Sequence, residues 1–481
     1  MVVARHRHGQ LVVIDRLREM VRLASGLGAT GRLSAASQAR ALACLRRFGE
    51  RLRAMRAARV RVVGTNTLRR ARGAGRFVQQ AGRALGHPVE IISGIEEARL
   101  IYLGAAHHLP RADGPRLVVD IGGGSTEIIV GRALQPRVME SLSMGCVSVS
   151  EGCFPRGRLS ARNFQQARLQ ARLELEPVRS QFRRASTVQV AGTSGSIRSA
   201  QAVLAALGRC TDGITVDGLE YLIAEMVAAG SIDYLRLPEL SRERAEVFPG
   251  GVAILVEVMQ ALGLDSLTVA DGALREGMLY DLMGRLSDED ARARTVRAMG
   301  ARYHVDQAQA DRVERTSLLL LEQVARRWDL GSESARQALA WAARLHELGL
   351  DIAHAHYHHH GAYVIENADM PGFTREEQGV VARLVQAHRR RFDRAVFRSL
   401  PPDWQRPALR LSILLRLAVL FHRSRTAVSL PKIQLHADGR SLRLRLPAAW
   451  LKASPLTLAD LEREAELLGE SGIRLALTRA R

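Results

Sequence analysis

The chain has 481 residues, of which 47% are hydrophobic, and this composition excludes an intrinsically disordered protein and predicts roughly two to four globular domains. Because it lacks a long apolar run and an N-terminal secretory pattern, and its four cysteines show neither metal nor disulfide spacing, we expect a soluble cytoplasmic protein with no membrane partner. The formal net charge of +21 favours a polyanionic partner without identifying it.

The first sixty residues predict short strands followed by a helix. Residues 1–15 are typical of two strands joined by a turn at His8-Gly9-Gln10. Residues 34–57 predict an amphipathic helix, with Ser34 as its N-cap. A further strand is expected at Val60–Val63.

Polar residues follow that strand, in the stretch Gly64-Thr65-Asn66-Thr67-Leu68-Arg69-Arg70. A helix N-terminus carries unpaired N–H groups, so one with hydroxyl and guanidinium side chains can bind an anion. An ordinary capped helix with solvated arginines explains the same residues equally well.

Two adjacent glutamates, Glu96 and Glu97, open the next predicted helix, after a strand that ends at Ser93-Gly94. The helix dipole favours acidic residues in a first turn, which is the simpler explanation for both. Adjacent helical residues point about 100° apart, so at most one of them needs to face a site. A glutamate near a phosphate loop could act as a general base on water.

The strongest chemical signal is a turn of three glycines between two apolar strands, within Val118–Val130. Glycine N–H groups can converge on one anion without obstruction by side chains. Asp120 and Glu127 flank the turn, and carboxylates beside a bound phosphate are normally tolerated when a divalent cation lies between them. A plain type I′ hairpin is the alternative interpretation.

Two further small-residue loops follow short apolar strands, at Ala191–Ile197 and at Ala270–Gly277. The alternation of strands and helices indicates an α/β fold through about residue 285. From about residue 290 long helices are expected, and nine of the fifteen histidines lie between His304 and His422. The last segment, 426–481, predicts two strands, a helix and a final strand.

Six motifs together resemble the exopolyphosphatase / guanosine pentaphosphate phosphohydrolase (Ppx/GppA phosphatase) family. In chain order they are Ile92–Leu100, the Asp120–Glu127 turn, Met144–Ser148, Gly192–Gly195, Asp271–Gly277 and Leu345–Leu350. The similarity spans nearly the whole chain in the right order. It implies an α/β fold of two actin/sugar-kinase/Hsp70-like lobes, then an all-α HD-like domain and a small α+β C-terminal domain. The implied boundaries are 1–107, 108–287, 288–425 and 426–481.

The reaction that the resemblance implies is exopolyphosphatase activity, the release of orthophosphate from the end of linear inorganic polyphosphate with the help of Mg²⁺. Guanosine pentaphosphate hydrolysis is the alternative within the class, and a non-catalytic polyanion-binding or sensing protein is the alternative outside it. A homodimer is also implied. The implied site is Glu97 as general base, Arg69 for charge neutralisation, Gly122, Gly123, Gly124 and Ser125 around the terminal phosphate, and Asp120 and Glu127 at the magnesium.

One departure from the family pattern concerns the N-terminus. Family members open with a strand and a phosphate loop of the form Asp-x-Gly-Ser-Asn-Ser, just before the stretch that resembles Met1–Arg5. We therefore expect Met1 to be an internal methionine of a longer natural protein. On this expectation the 481-residue chain is weakened or inactive, and a chain extended upstream is active.

The helical region departs from active HD phosphohydrolases, because His346-Glu347 stands where those enzymes carry a His-Asp dyad. The longer side chain displaces the ligand oxygen, so we expect a non-catalytic domain. The run His358–His360 is expected to form either a polyanion-facing loop or a plain surface. His388–Arg391 and His422–Arg425 would suit a long anionic chain.

Overall fold

The computed structural model describes residues 1–7, 10–19, 21, 23–27, 30–55, 59–110, 114–183, 189–210, 213–284, 291–426 and 430–480. Their contacts divide the chain into two compact units, Met1–Glu289 and Asp290–Arg481. Within these ranges, no helix has the length and apolar character needed to cross a membrane. The finer boundaries expected at 107 and 425 stay predictions.

The first unit alternates strands and helices, in agreement with the predicted α/β class. Its strands are β1 (Val2–Arg7), β2 (Gln10–Arg16), β3 (Val63–Gly64), β4 (Glu90–Ile91), β5 (Pro115–Ile121), β6 (Thr126–Arg132), β7 (Gln135–Leu142), β8 (Gln189–Thr193), β9 (Ile214–Thr215) and β10 (Ser266–Val269). Its α-helices are α1 (Ala35–Arg53), α2 (Asn66–Arg70), α3 (Gly75–Leu85), α4 (Gly94–His108), α5 (Cys146–Cys153), α6 (Ala161–Leu175), α7 (Arg179–Arg183), α8 (Ser194–Ala206), α9 (Val216–Ala229), α10 (Arg242–Ala245), α11 (Phe248–Leu262) and α12 (Leu274–Gly284).

A six-stranded mixed sheet in the order β7-β6-β5-β8-β10-β9 is the centre of this unit. Strands β5, β8 and β10 run parallel, whereas β6 and β7 continue from β5 as an antiparallel meander. The short strand β9 closes the other edge antiparallel to β10. Strand β5 therefore lies between the meander and the parallel part of the sheet.

The two faces of this sheet pack against different helices. Because side chains alternate along a strand, Val118 and Ile129 face α4, where they meet Ala98, Ile101 and Tyr102. The opposite face packs into a larger core with α5, α6, α8 and α11, and α11 is buried along almost its whole length. Asp120 has the same parity as Val118, so it lies on the α4 face.

In the N-terminal part of the unit, the helices and strands are of the predicted types, but some of them differ from the prediction in length. Strands β1 and β2 pair antiparallel, as expected; positions 8 and 9 of the predicted turn lie outside the described residues. Ser34 caps α1 by accepting a hydrogen bond from the Ser37 amide, but the helix ends at Arg53 rather than at residue 57. The strand expected at Val60–Val63 is wrong in extent, because only Val63 and Gly64 pair with β4.

The second unit is mainly helical. Its α-helices are α13 (Ala291–Arg302), α14 (Gln307–Trp328), α15 (Glu333–Leu345), α16 (Tyr357–Asn367), α17 (Arg375–Ala387), α18 (Pro402–Phe421), α19 (Ala448–Ala453) and α20 (Pro455–Glu470). Its strands are β11 (Gln434–Asp438), β12 (Ser441–Pro447) and β13 (Arg474–Ala480), of which β11 and β12 form the expected hairpin and β13 runs parallel to β12. One hydrophobic core continues from the helices into this sheet.

Short 3-10 helices occur in both units, at Ala24–Gly26, Pro155–Gly157, Ile232–Tyr234, Leu348–Asp351 and Arg394–Ser399.

Candidate active site

Four polar side chains form a row across the α4 face of the central sheet. The strand register pairs Ser141 with Glu127, Glu127 with Asp120, and Asp120 with Thr193. The hydroxyl of Ser141 donates to Glu127 at 2.7 Å, and the hydroxyl of Thr193 donates to Asp120. Two buried carboxylates that lie directly opposite each other repel, so the row is an arrangement that stability alone does not favour.

Helix α4 brings a third carboxylate, Glu97, to this row. Ser93 caps the helix by accepting a hydrogen bond from the Glu96 amide at 3.1 Å. The first helical residue, Gly94, lies so close to β7 that an added Cβ would be 2.6 Å from the Cβ of Ser141. The start of α4 is therefore held against the residue that donates to Glu127.

The two adjacent glutamates of α4 point to different surroundings, as helical geometry predicts. The carboxylate of Glu96 accepts two hydrogen bonds from Arg99, at 2.7 and 2.9 Å, and Arg99 also pairs with Asp281 of α12. This buried ion-pair network fastens α4 to α12. Glu97 instead pairs with Arg69 of α2 at 2.8 Å, so it alone faces the row of carboxylates.

Burial raises the pKa of each of the three carboxyl groups. For Glu97 the nearby Arg69 guanidinium opposes the rise in pKa, and for Asp120 the Thr193 hydrogen bond opposes it. For Glu127, burial and then the negative charges of Glu97 and Asp120 hold the pKa well above its usual value of 4.5. Ionising all three groups is thus unfavourable without added positive charge.

The polar stretch after β3 joins the same site. Arg69 donates to the backbone oxygen of Ile92 at 3.0 Å in addition to its ion pair with Glu97. Asn66 lies against the glycine turn, because a Cβ on Gly124 would be 2.8 Å from its side-chain oxygen. The structure therefore brings together the predicted anion stretch, the predicted base and the glycine turn.

The glycine turn is not a type I′ hairpin. That turn type needs positive φ at both central residues, and none of Gly122, Gly123 and Gly124 has positive φ. The amide of Gly122 donates to the Ser125 carbonyl at 2.8 Å. The amides of Gly123 and Gly124 have no acceptor in the described part of the chain, so two N–H groups remain for an anion.

Close packing explains why small residues are needed around this turn. The carbonyls of Gly122 and Gly123 accept hydrogen bonds from the first amides of α5, which anchors the turn on that helix. A Cβ on Gly145 would lie 2.4 Å from backbone atoms of Gly123 and Gly124. Ser125 is buried, and its side chain opposes the raised pKa of Glu127.

The small-residue loop expected at Ala191–Ile197 is instead a direct strand-to-helix junction. Strand β8 extends to Thr193 and α8 begins at Ser194, which has a φ of +91°. A non-glycine residue with positive φ is strained, and such strain is concentrated at functional sites.

Sequence reasoning missed an arginine cluster at this junction. The guanidinium of Arg244 lies against Gly195, where a Cβ would be 2.1 Å from its Nη2 atom. Burial, with the positive charges of Arg18 and Arg198, lowers the pKa of Arg244, and Arg198 in turn opposes the raised pKa of Asp120. A group of guanidiniums beside a group of carboxylates suits a metal–phosphate ligand, which carries both charges.

The carboxylates fit a divalent cation such as Mg²⁺. Asp120 and Glu127 are buried, and no salt bridge to either exists in the described ranges. Together with Glu97 they do not surround a metal ion completely. Among the described residues, three or more ligand atoms lie within 4.8 Å of one another at a different place, in the second unit. Mg²⁺ is usually held by one or two carboxylates, with water and substrate phosphates as the other ligands.

The His346–Glu347 position of the second unit is built differently. Arg425 donates to both carboxylate oxygens of Glu347, at 2.5 and 3.0 Å. His346 is buried, and its Nε2 lies 3.9 Å from Glu347 without a hydrogen-bond partner in the described chain. A carboxylate neutralised by its own guanidinium is poorly suited to a metal, which supports the expected non-catalytic role.

Three histidine predictions need correction. The run His358–His360 lies in the first turn of α16 rather than in a loop, and His358 is buried. His388 and His422 are also buried, because they pack inside the helical unit. Exposed arginines next to His388, namely Arg390 and Arg391, remain available to an anionic chain, whereas Arg423 pairs with Asp460.

Both units match models of the same protein family. The profile of the Ppx/GppA phosphatase family matches residues 2–286, and that of Ppx/GppA phosphatase domain III matches residues 291–465. A guanosine-5'-triphosphate,3'-diphosphate pyrophosphatase from Aeromonas hydrophila is 38% identical over 466 residues, which are 97% of this chain and 94% of that protein. One of the same name from Vibrio cholerae is 37% identical over 99% of this chain and 95% of its own.

Solved structures give the same result for the fold. The Aquifex aeolicus member of the Ppx/GppA family is 25% identical, covers 60% of this chain and 94% of its own, and has a TM-score of 0.51. A Cytophaga hutchinsonii exopolyphosphatase is 21% identical, covers 59% of this chain and 94% of its own, and has a TM-score of 0.53. The resemblance found in the sequence motifs is confirmed.

Proposed function

Because the chain belongs to the Ppx/GppA phosphatase family, we propose that its first unit hydrolyses the terminal phosphoanhydride of guanosine pentaphosphate. The substrate is chosen because the relatives that match nearly the whole chain at 37–38% identity are named for guanosine-5'-triphosphate,3'-diphosphate. The observation that supports the reaction is Glu97, paired with Arg69 and facing two further buried carboxylates behind the glycine turn.

Glu97 is the general base in this proposal. It takes a proton from the water that attacks the terminal phosphorus, and the bond to the bridging oxygen breaks, so orthophosphate leaves. Its raised pKa brings it closer to neutral pH, where a base that accepts a proton in the transition state is most effective. Arg69 holds the carboxylate in position and lies ready to neutralise phosphate charge.

Positive groups on the other side of the site stabilise the transferred phosphoryl group. Phosphoryl transfer depends mainly on positioning and charge neutralisation. The free amides of Gly123 and Gly124 would bind the terminal phosphate, and Arg198 and Arg244 would bind the phosphates behind it. Asp120 and Glu127 would hold Mg²⁺, which supplies the charge that lets phosphate oxygens approach carboxylates.

Linear polyphosphate is the second candidate substrate. The net charge of +21 favours it, because a long polyanion gains more from a positive protein than a single nucleotide does. The terminal anhydride is chemically the same in both substrates, so one site serves either.

The test is orthophosphate release from guanosine pentaphosphate and from long-chain polyphosphate in the presence of Mg²⁺. We expect Glu97→Gln to lower kcat by about a hundredfold or more, as loss of a general base does. The exposed Glu50 of α1 supplies the matched control, and Glu50→Gln should leave kcat unchanged. The ratio of kcat/KM for the two substrates decides between them.

Two results would overturn the proposal. Unchanged turnover in Glu97→Gln would remove Glu97 as the base. Binding of either polyanion without any phosphate release, both in the parent chain and in a chain extended upstream of Met1, would favour a binding or sensing protein.

A further inference from the structure

The second unit contains a group of imidazoles that phosphoanhydride hydrolysis does not use. His356, His358 and His359 each offer one ring nitrogen, and these atoms all lie within 4.8 Å of one another. In the described ranges no other group of three or more His, Cys, Asp or Glu side chains is so close. We propose that these three histidines form a binding site for a divalent transition metal of the Zn²⁺ type.

Local backbone structure places the three rings together. His356 precedes α16 as its N-cap and has a φ of +56°, a left-handed conformation that is unfavourable for a non-glycine residue. His358 and His359 follow in the first turn, with ring centroids 4.2 Å apart. The ring of His356 lies 6.2 Å from one and 6.0 Å from the other. The strained residue thus completes a three-membered group.

The buried member of the group lacks a partner. His358 is 3% exposed, and its Nδ1 atom has no hydrogen-bond partner in the described chain. Burial of a polar nitrogen without a partner is unfavourable, and coordination of that ring nitrogen would remove the deficit.

The ligand type decides which metal fits. Three imidazoles without a carboxylate favour Zn²⁺, Ni²⁺ or Cu²⁺ over Mg²⁺ or Ca²⁺, which prefer oxygen. Zn–N bonds of about 2.0–2.1 Å place ligand nitrogens about 3.3 Å apart, so modest rotations of the exposed side chains would close the site. His356 and His359 are exposed and leave one side of the group open to solvent.

Neighbouring positive charges favour an anion as the fourth ligand of the metal ion. Arg389 and Arg390 add positive charge next to His358, and so does the N-terminus of α16. A bare cation would therefore be disfavoured, and an anion such as hydroxide or inorganic phosphate in the open position balances the charge. Zinc sites with three protein ligands commonly keep such an open position.

The test is a titration of the full chain, without any affinity tag, with Zn²⁺ against a chromophoric chelator. We expect the parent chain to bind one Zn²⁺ tightly. The double variant His356→Gln/His359→Gln should bind Zn²⁺ about a hundredfold or more weakly, because mutation of residues that only support a metal ligand already costs about tenfold or more in affinity. Both residues are exposed, so the substitution spares the core. The single variant His359→Gln should lose at least about tenfold.

His360→Gln is the matched control, because His360 belongs to the same run but not to the three-membered group. Its affinity for Zn²⁺ should equal that of the parent chain. Parent-like Zn²⁺ affinity in the double variant overturns the proposal, and so does an equal loss in His360→Gln, which would indicate loose chelation by the run as a whole. The inference is independent of the hydrolase proposal, since its readout is metal affinity.

Discussion

The candidate active site of the first unit and the His346–Glu347 position of the second both bury carboxylates, but only the second neutralises its carboxylate fully. Glu347 has both oxygens bound by Arg425. Among the described residues, Asp120 and Glu127 receive side-chain hydrogen bonds only from the hydroxyls of Thr193 and Ser141. A buried carboxylate with its own guanidinium is stable without a ligand, whereas one without it stabilises a bound cation. Neutralisation therefore distinguishes Glu347 from Asp120 and Glu127, the two carboxylates that fit a bound cation.

A second contrast lies within α4, between a glutamate in a network of ion pairs and a glutamate with a single ion pair, and it yields the largest expected effect on stability. Glu96 belongs to the buried network with Arg99 and Asp281, so we expect Glu96→Gln to lower the free energy of unfolding by about 3 kcal/mol. Urea unfolding measures this. Glu97→Gln breaks a single ion pair, with Arg69, and removes a carboxylate whose ionisation burial opposes, so it should lower stability by less than Glu96→Gln while lowering turnover by about a hundredfold or more.

The result that would break the contrast is a reversal of the two phenotypes. A stable but inactive Glu96→Gln, together with a destabilised but active Glu97→Gln, would assign the base to the wrong glutamate. Glu50→Gln should stay within about 0.5 kcal/mol of the parent in the same measurement, as exposed substitutions generally do.

Local sequence patterns predicted the elements and part of the site. The turn between β5 and β6 has four residues, so the antiparallel register that places Asp120 opposite Glu127 follows from short-range chemistry. The stretch 191–197 was misjudged because small residues are typical of loops. Gly192 in fact lies inside β8, where it packs against Leu267 so closely that a Cβ would be 2.6 Å from the leucine side chain. The need for a glycine at this position arises from tertiary packing, which the local sequence does not show.

Long-range contacts account for what the sequence could not predict. Arg99 meets Asp281, and Arg244 meets Gly195, across many intervening residues. No local pattern distinguishes these arginines from the many others in an arginine-rich chain. Helical geometry alone required only that at most one of Glu96 and Glu97 face the site. The family resemblance selected Glu97, and the pairing with Arg69 places Glu97 on that side.

The unneutralised carboxylates should give a pH effect of intermediate size. The pKa of Glu127 in the folded protein is raised well above 4.5, so the folded state binds its proton more tightly than the unfolded state does. Its contribution to stability is therefore present at low pH and is lost as pH rises from about 4.5 through the raised pKa, by up to about 1.4 kcal/mol per pH unit.

Thermal unfolding in EDTA, from about pH 5 to about pH 7.5, checks this effect. The difference in stability between Glu127→Gln and the parent chain should grow in favour of the variant as pH rises, and Mg²⁺ should reduce it. Taking the difference removes the contribution of the buried histidines, whose lowered pKa values act in the opposite direction. A difference independent of pH would mean that Glu127 is already neutralised.

The smallest effect is expected at the neutralised carboxylate of the second unit. Arg425→Gln leaves Glu347 buried without its guanidinium, but the Arg425 side chain is 44% exposed, so water can replace part of the contact. We expect a loss of about 1 kcal/mol in unfolding free energy and no change in phosphate release. This loss of stability arises from an unpaired buried charge. Adding Glu347→Gln to Arg425→Gln should therefore restore most of the lost unfolding free energy, and a double-mutant cycle measures the coupling between the two residues. If Arg425→Gln instead lowers phosphate release while Glu347→Gln does not, the arginine contacts substrate and its pairing with Glu347 is a resting state.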